Sequence, residues 1–244
     1  MLGAYSSYSI SAGGKPLLLA LDYGAAFATV TRRWLWRCLK ASGLPQGFLS
    51  AMEISYSSAA CWITHAGGQL LAFYVNAGIL QGCPSSGLAW SILSNPFLAS
   101  MQSELQRLQY GQLRACADDV GAALRFACGL RVMYGHLNEV EAETLLRLKI
   151  AKCFVVPLWA PLSDDIVLEV RSLLGTYAPG WAGMQITDCL QYLGVILGPG
   201  SQRKAWVAPL ENGGPELVRC TAMVLRLSRR PVSTVVPRIL ALAT

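Results

Sequence analysis

Two adjacent acids, Asp118 and Asp119, stand between two short apolar runs in the stretch RACADDVGAAL, residues 114–124. A carboxylate is costly to bury without a partner, and two side by side repel each other. The flanking runs read as short strands, so the acids fall at the apex of a hairpin. Either they are turn residues, a common place for Asp, or something positive neutralises them. A third acid bears on the choice. PLLLALDY, residues 16–23, reads as a buried strand that ends at Asp22, 96 positions before Asp118. If the strands are neighbours in one sheet, three carboxylates converge at one edge. Such a cluster calls for a divalent cation, and Mg²⁺ suits it, taking a few carboxylate oxygens and completing its shell with water and phosphate.

The remaining chain alternates helices and strands without a strict βαβ period, which predicts an α+β fold with a mainly antiparallel sheet. TRRWLWRCLKASG reads as a helix capped by Thr31 and stopped at Gly43. CWITHAGGQLLAFYV reads as a hairpin, and a long helix with Pro96 as a kink follows from about Ser85. Helices are expected over 139–149 and 163–175, the second capped by Ser163 and ended by Gly175, with the strand CFVVPL between them. MQITD and QYLGVIL are expected to pair as a hairpin, and an amphipathic basic helix starts near Pro215.

Charged residues make up 14% of the 244, hydrophobic ones 53%, and the mean hydropathy is +0.40. Yet no window of about 18 residues lacks charges and turn formers, so no membrane helix is expected. The N-terminal stretch lacks the basic start of a signal peptide, and the expected location is intracellular, nucleus or cytoplasm. Eight scattered cysteines with two histidines give a zinc site or a disulfide scaffold little support. Of the net charge of +6, +5 lies from residue 201 onward, which suits a polyanion such as nucleic acid or else a solvated helix face.

Five stretches occur in an order that resembles motifs A to E of reverse transcriptases. They are ALDYGAAF (20–27), GILQGCPSS (78–86), CADD (116–119), LRLKIAKCFVVP (146–157) and YLGVILGP (192–199). The likeness is strongest to non-LTR (LINE-type) retrotransposon and group II intron enzymes, with signatures D-x-x-x-A-F, G-x-x-Q-G-x-P-x-S and [FY]-A-D-D. It implies a polymerase palm over residues 1–200 and the opening of a basic helical thumb over 201–244. It also implies RNA-directed DNA polymerisation, in which two Mg²⁺ ions, with Mn²⁺ as a substitute, activate a primer 3′-hydroxyl and steady the leaving pyrophosphate. The partners would be an RNA or DNA template with its primer, and dNTPs.

The resemblance also implies roles. Asp22 and Asp118 would be the principal metal ligands, Asp119 the supporting acid, and the backbone carbonyl of Tyr23 would complete one shell. Phe27 would be the gate against a ribose 2′-hydroxyl. Gln81 and Gly82 would lie under the nucleotide and the templating pair, Gly82 letting the backbone approach, and Ser85 or Ser86 would cap the next helix. Lys152, or alternatively Lys149, would meet the pyrophosphate. Tyr192, Leu193 and Gly194 would grip the primer, while Arg226, Arg229 and Arg230 would meet nucleic acid. The sequence departs from the pattern at Ala28, where a second acid is common, at Cys116, where Phe or Tyr is usual, and at Ser86, where Leu is more common. With 21 residues ahead of Asp22 and about 45 after motif E, fingers and thumb would be largely absent and activity impaired. The alternative is a catalytically inactive relic or nucleic-acid-binding fragment.

Overall fold

The structure, a computed structural model, describes residues 14–203 apart from residue 66. The basic helix expected near Pro215, with Arg226, Arg229 and Arg230, lies outside the described residues. Chain order runs β1 (Leu17–Leu21), α1 (Ala26–Thr29), α2 (Arg32–Ala41), α3 (Gln46–Ser57), β2 (Ala60–His65), β3 (Gly68–Tyr74), α4 (Ser86–Arg107), β4 (Gly111–Cys116), β5 (Asp119–Leu124) and α5 (Gly129–Thr144). It continues with β6 (Phe154–Pro157), α6 (Asp164–Tyr177), β7 (Gln185–Ile186), β8 (Leu190–Tyr192) and β9 (Val195–Leu197). The fold is α+β, as the sequence pattern predicts.

The main sheet has the order β4-β5-β1-β6-β7. β1 is central, antiparallel to β5 on one side and to β6 on the other, and only the β6–β7 pair is parallel. Strand alternation sorts β1 between two faces. Leu17, Leu19 and Leu21 enter the large core, where they meet Leu35 and Leu39 of α2, Leu93 and Met101 of α4, and Leu130 and Met133 of α5. Leu18 belongs to a smaller cluster on the other face, with Val156, Leu158 and Leu190, against which Tyr192 and Leu197 rest. Helices therefore cover one face of the sheet, and the short β8–β9 hairpin covers part of the other.

Several elements depart from the sequence reading. The helix expected over 139–149 starts ten residues earlier and stops at Thr144, because Leu145 adopts a left-handed backbone (φ 65°). Residues beyond it turn extended and bridge to the end of β1, through Lys149 N–H to the Asp22 carbonyl (2.8 Å) and Gly24 N–H to the Arg147 carbonyl (2.8 Å). MQITD does not pair with QYLGVIL: β7 joins β6 in the main sheet, and β8–β9 form a hairpin within QYLGVIL. Gly175 does not end α6, which runs on to Tyr177. The helix α3 has no counterpart in the sequence reading; its apolar residues give only three buried positions, Leu49, Met52 and Tyr56.

Thr31 and Ser163 do cap their helices, each side chain accepting a backbone N–H three residues on (Trp34 and Ile166, both 3.4 Å). Ser163→Ala should cost about 1 kcal/mol and lower Tm by roughly 2–4 °C in a thermal melt. The hairpin β2–β3 forms where expected, but both its faces are open: Trp62, Phe73 and Tyr74 are 58–61% exposed. Among the described residues no helix is long and apolar enough to cross a membrane.

Candidate active site

The sheet register brings the acids together. Leu21 of β1 faces Val120 of β5, so the next residue of each strand towards the sheet edge is Asp22 and Asp119. Alternation places Asp22 on the same side as Leu18 and Ala20, away from the helices. Val120, Ala122 and Leu124 point into the large core, which leaves Asp119, Gly121 and Ala123 on that same open side. Cys116 pairs with Asp119, so Ala117 and Asp118 form a two-residue turn, in which Ala117 is left-handed (φ 52°). Asp22 and Asp118 are half-buried and Asp119 is exposed.

Partial burial, then Asp118, then Asp22 push the Asp119 carboxyl above the ordinary carboxylate range. Between the ordinary value and the raised one, the folded protein binds more protons than the unfolded chain. Metal-free stability therefore falls as pH rises through that window. Asp119→Asn removes this repulsion, and the metal-free variant should melt about 1–2 °C higher than the parent at pH 7. The gain should shrink as pH is lowered into the carboxylate range, where the parent acid is neutral too.

Asp22 is held from behind by a residue the motif assignments left out. Its N–H donates to the Cys153 thiol sulfur (3.4 Å), and the thiol lies 3.8 Å from its carbonyl oxygen. Cys153 is fully buried, and burial before all else pushes its thiol up to about 11, so it stays protonated. In the sequence its only signal is its place directly after Lys152. The bridge to residues 147–149 uses the carbonyls of Asp22 and Arg147, not that of Tyr23. The Tyr23 ring turns into the core, where burial raises its phenol and its hydroxyl has no hydrogen-bond partner among the described residues. It lines a cavity of about 250 Å³ with Tyr134, Glu141, Arg147 and Trp181.

Phe27 follows in α1, half-buried, its ring stacked on Trp90 of α4 at 4.8 Å and 21°. The loop before α4 docks on this segment: Gly78 N–H donates to the Val30 carbonyl (2.8 Å) and Ile79 N–H to that of Phe27 (2.6 Å). The close approach is made at Gly78, where a Cβ would lie 2.6 Å from the Phe27 and Ala28 oxygens. Gly82, expected to let the backbone approach a nucleotide, has a positive φ (84°) and open space around it. Gln81 and Gly82 are both exposed. Neither serine caps α4: the Ser85 hydroxyl meets the Cys83 sulfur at 3.0 Å, and Ser86 donates to the Leu80 carbonyl.

Lys152 is exposed in the short 3₁₀ turn 150–152, whose N–H donates to the Lys149 carbonyl, so both lysines lie on the segment that pairs with Asp22. Tyr192, Leu193 and Gly194 form the β8–β9 turn, with positive φ at Leu193 (49°) and Gly194 (79°), the geometry of a tight two-residue hairpin. The Tyr192 ring lies over Gly121, where a Cβ would come within 3.0 Å of it, and its hydroxyl donates to the Arg114 carbonyl (3.2 Å). Burial, then Cys116 and Asp119, raise its phenol. The turn thus rests on the two strands that carry the acid pair.

Among the described residues no three His, Cys, Asp or Glu side chains stand close enough to hold an ion by themselves. The donor set is hard oxygen, its charges are mutually repulsive, and it is open on one side. Such a set fits Mg²⁺ or Mn²⁺, which complete their shells from backbone, water and phosphate oxygens.

Residues 6–197 match the family described as reverse transcriptase (RNA-dependent DNA polymerase). The chain is 25% identical over 214 residues to the retrovirus-related Pol polyprotein from type-2 retrotransposable element R2DM of Drosophila melanogaster, covering 86% of this chain and 20% of that protein. It is 31% identical over 108 residues to the transposon TX1 uncharacterized 149 kDa protein of Xenopus laevis, covering 42% and 8%. The chain thus spans a fifth or less of the curated relatives it matches. In fold it resembles apo telomerase from Candida tropicalis truncated from the C-terminal domain, with a TM-score of 0.55, 11% identity, and 81% and 37% of the two chains covered. The telomerase of the same organism in complex with the TWJ fragment of telomeric RNA gives 0.52, 14% identity, and 82% and 32%. The family match runs through most of the chain, motifs and acid edge included, and the chain therefore belongs to the reverse transcriptase (RNA-dependent DNA polymerase) family.

Proposed function

We propose that this chain is the palm of an RNA-directed DNA polymerase that adds deoxynucleotides to a primer 3′-hydroxyl on a nucleic-acid template. The observation that carries the reading is the β1–β5 register, which sets Asp22 beside the hairpin of Asp118 and Asp119 on one open sheet face. Bound Mg²⁺ or Mn²⁺ would supply charge neutralisation for the attacking and leaving oxygens. Asp22 and Asp118 would be its main ligands, with Asp119 in support and the Tyr23 carbonyl as a backbone donor. Phe27 would close the space beside the sugar C2′ and so favour dNTPs. Gln81 and Gly82 would lie beneath the nucleotide, and Lys152 would place a positive charge near the leaving pyrophosphate. The turn Tyr192–Gly194 would hold the primer end. Arg226, Arg229 and Arg230 would meet the backbone of RNA or DNA.

A second reading, a relic that binds nucleic acid without extending a primer, is favoured by one observation. The β2–β3 hairpin exposes apolar side chains on both faces, as expected of a surface built to be covered by further protein. Primer extension by the full chain with Mg²⁺ and dNTPs separates the two. Incorporation above that of an Asp22→Asn control supports the polymerase. None, where a longer relative of the family extends the same primer, leaves the relic.

A further inference from the structure

Trp90 is buried in the first turns of α4, 2% exposed, yet a face and an edge of its indole are engaged by segments the polymerase reading makes functional. Its face stacks on Phe27, and its Nε1–H donates to the carbonyl of Ala117 at 2.6 Å. Ala117 is the left-handed residue of the two-residue turn that presents Asp118. That turn lies at the sheet edge, and Ala117 itself is exposed, so without the indole its carbonyl would bond to mobile water. A fixed, buried donor removes that freedom. Phe, Leu or Met could fill the same volume behind Phe27, but none carries a donor at its edge.

We propose that Trp90 is a positioning residue that couples the Phe27 ring to the acid turn, so that one indole sets both sugar discrimination and the placement of Asp118. The proposal rests on the polymerase reading for what Phe27 and Asp118 do. The coupling is physical: a sugar that displaces the Phe27 ring moves the indole stacked on it, and the indole moves the carbonyl it holds. A 2′-hydroxyl would thereby be penalised twice, by contact with Phe27 and by disturbance of the carboxylate on the next residue of the turn.

Two variants of the full chain separate the two contacts. Trp90→Phe keeps an aromatic backing for Phe27 and loses the donor. Its half-saturating Mg²⁺ concentration in primer extension should rise about tenfold, with the dNTP-to-rNTP incorporation ratio near that of the parent. Trp90→Leu loses both contacts, and the ratio should also fall about tenfold. Melting with Mn²⁺ alone reads the same coupling without turnover: the Mn²⁺-induced rise in Tm should be at least halved in Trp90→Phe. A purely structural Trp90 would lower Tm in both variants and leave the Mg²⁺ midpoint, the Mn²⁺ increment and the sugar ratio unchanged, and that result overturns the proposal. If the parent chain neither extends a primer nor gains stability from Mn²⁺, the polymerase reading itself falls and carries this inference with it.

Discussion

Asp118→Asn should lower Mg²⁺-dependent primer extension by about a thousandfold or more while leaving the protein folded. The carboxylate is the one acid placed in the turn itself, half-buried, between the supported backbone of Ala117 and the first residue of β5. Asn keeps the shape and can still serve the turn, but it supplies a neutral amide oxygen where the proposed function calls for a charged ligand. In-line displacement at phosphorus depends on neutralising charge on attacking and leaving oxygens, so loss of one ligand acts on the chemical step itself. The metal-free variant should not melt below the parent, because the change removes one of the two neighbouring charges that, after partial burial, raise Asp119. Steady-state extension and a thermal melt on the same preparation check both halves. Full activity in the variant would remove Asp118 from the metal site.

Gly78→Ala is expected to be the most damaging single-methyl change in the motif segments. The residue has φ +77°, and an added Cβ would meet backbone oxygens of Phe27 and Ala28 at 2.6 Å, atoms that cannot swing aside as a side chain could. Relief requires breaking the Gly78–Val30 and Ile79–Phe27 hydrogen bonds, which join the loop before α4 to the segment after β1. Strain at positive φ and two lost buried hydrogen bonds together should cost about 3–5 kcal/mol. Tm should fall by roughly 6–15 °C, and extension should fall with it because the loop before α4 loses its hold on the Phe27 segment. Gly82→Ala is the matched comparison, since it has a similar φ but nothing within 4 Å of the added methyl. It should cost only about 1–2 kcal/mol. Equal effects from the two would show that backbone strain alone, not the close approach, explains Gly78.

The parts of the fold that sequence patterns revealed are those where local and tertiary signals agree. The run Leu17–Leu21, the Thr31 and Ser163 caps and the two runs around Asp118–Asp119 have apolar spacing that matches their final burial. Residues 145–149 read as helix because Leu145, Leu146 and Leu148 continue the apolar rhythm of α5, yet pairing with Asp22 and Gly24 outweighs that local preference. The α3 segment escaped notice because its burial is slight. Within the site, the acids and Phe27 were legible as residue types at motif spacing. The supports were not: Cys153 beneath Asp22, Trp90 between Phe27 and Ala117, and Gly78 against Phe27 act through contacts across long stretches of chain. No pattern along the chain encodes such contacts.

The central position of β1 has a consequence in time. Its two neighbours, β5 and β6, lie about 100 and 140 residues further along the chain. During synthesis at about 5–20 residues per second, the strand that ends in Asp22 therefore leaves the ribosome many seconds before either partner exists. Loops this long are slow to close, and a bare, strongly apolar strand is prone to pair with other chains while it waits. The carboxylate edge can assemble only after β5 has emerged, and the Cys153 support later still. Yield from cells should consequently improve when translation is fast relative to aggregation, or when a chaperone shelters the first strand until β6 arrives.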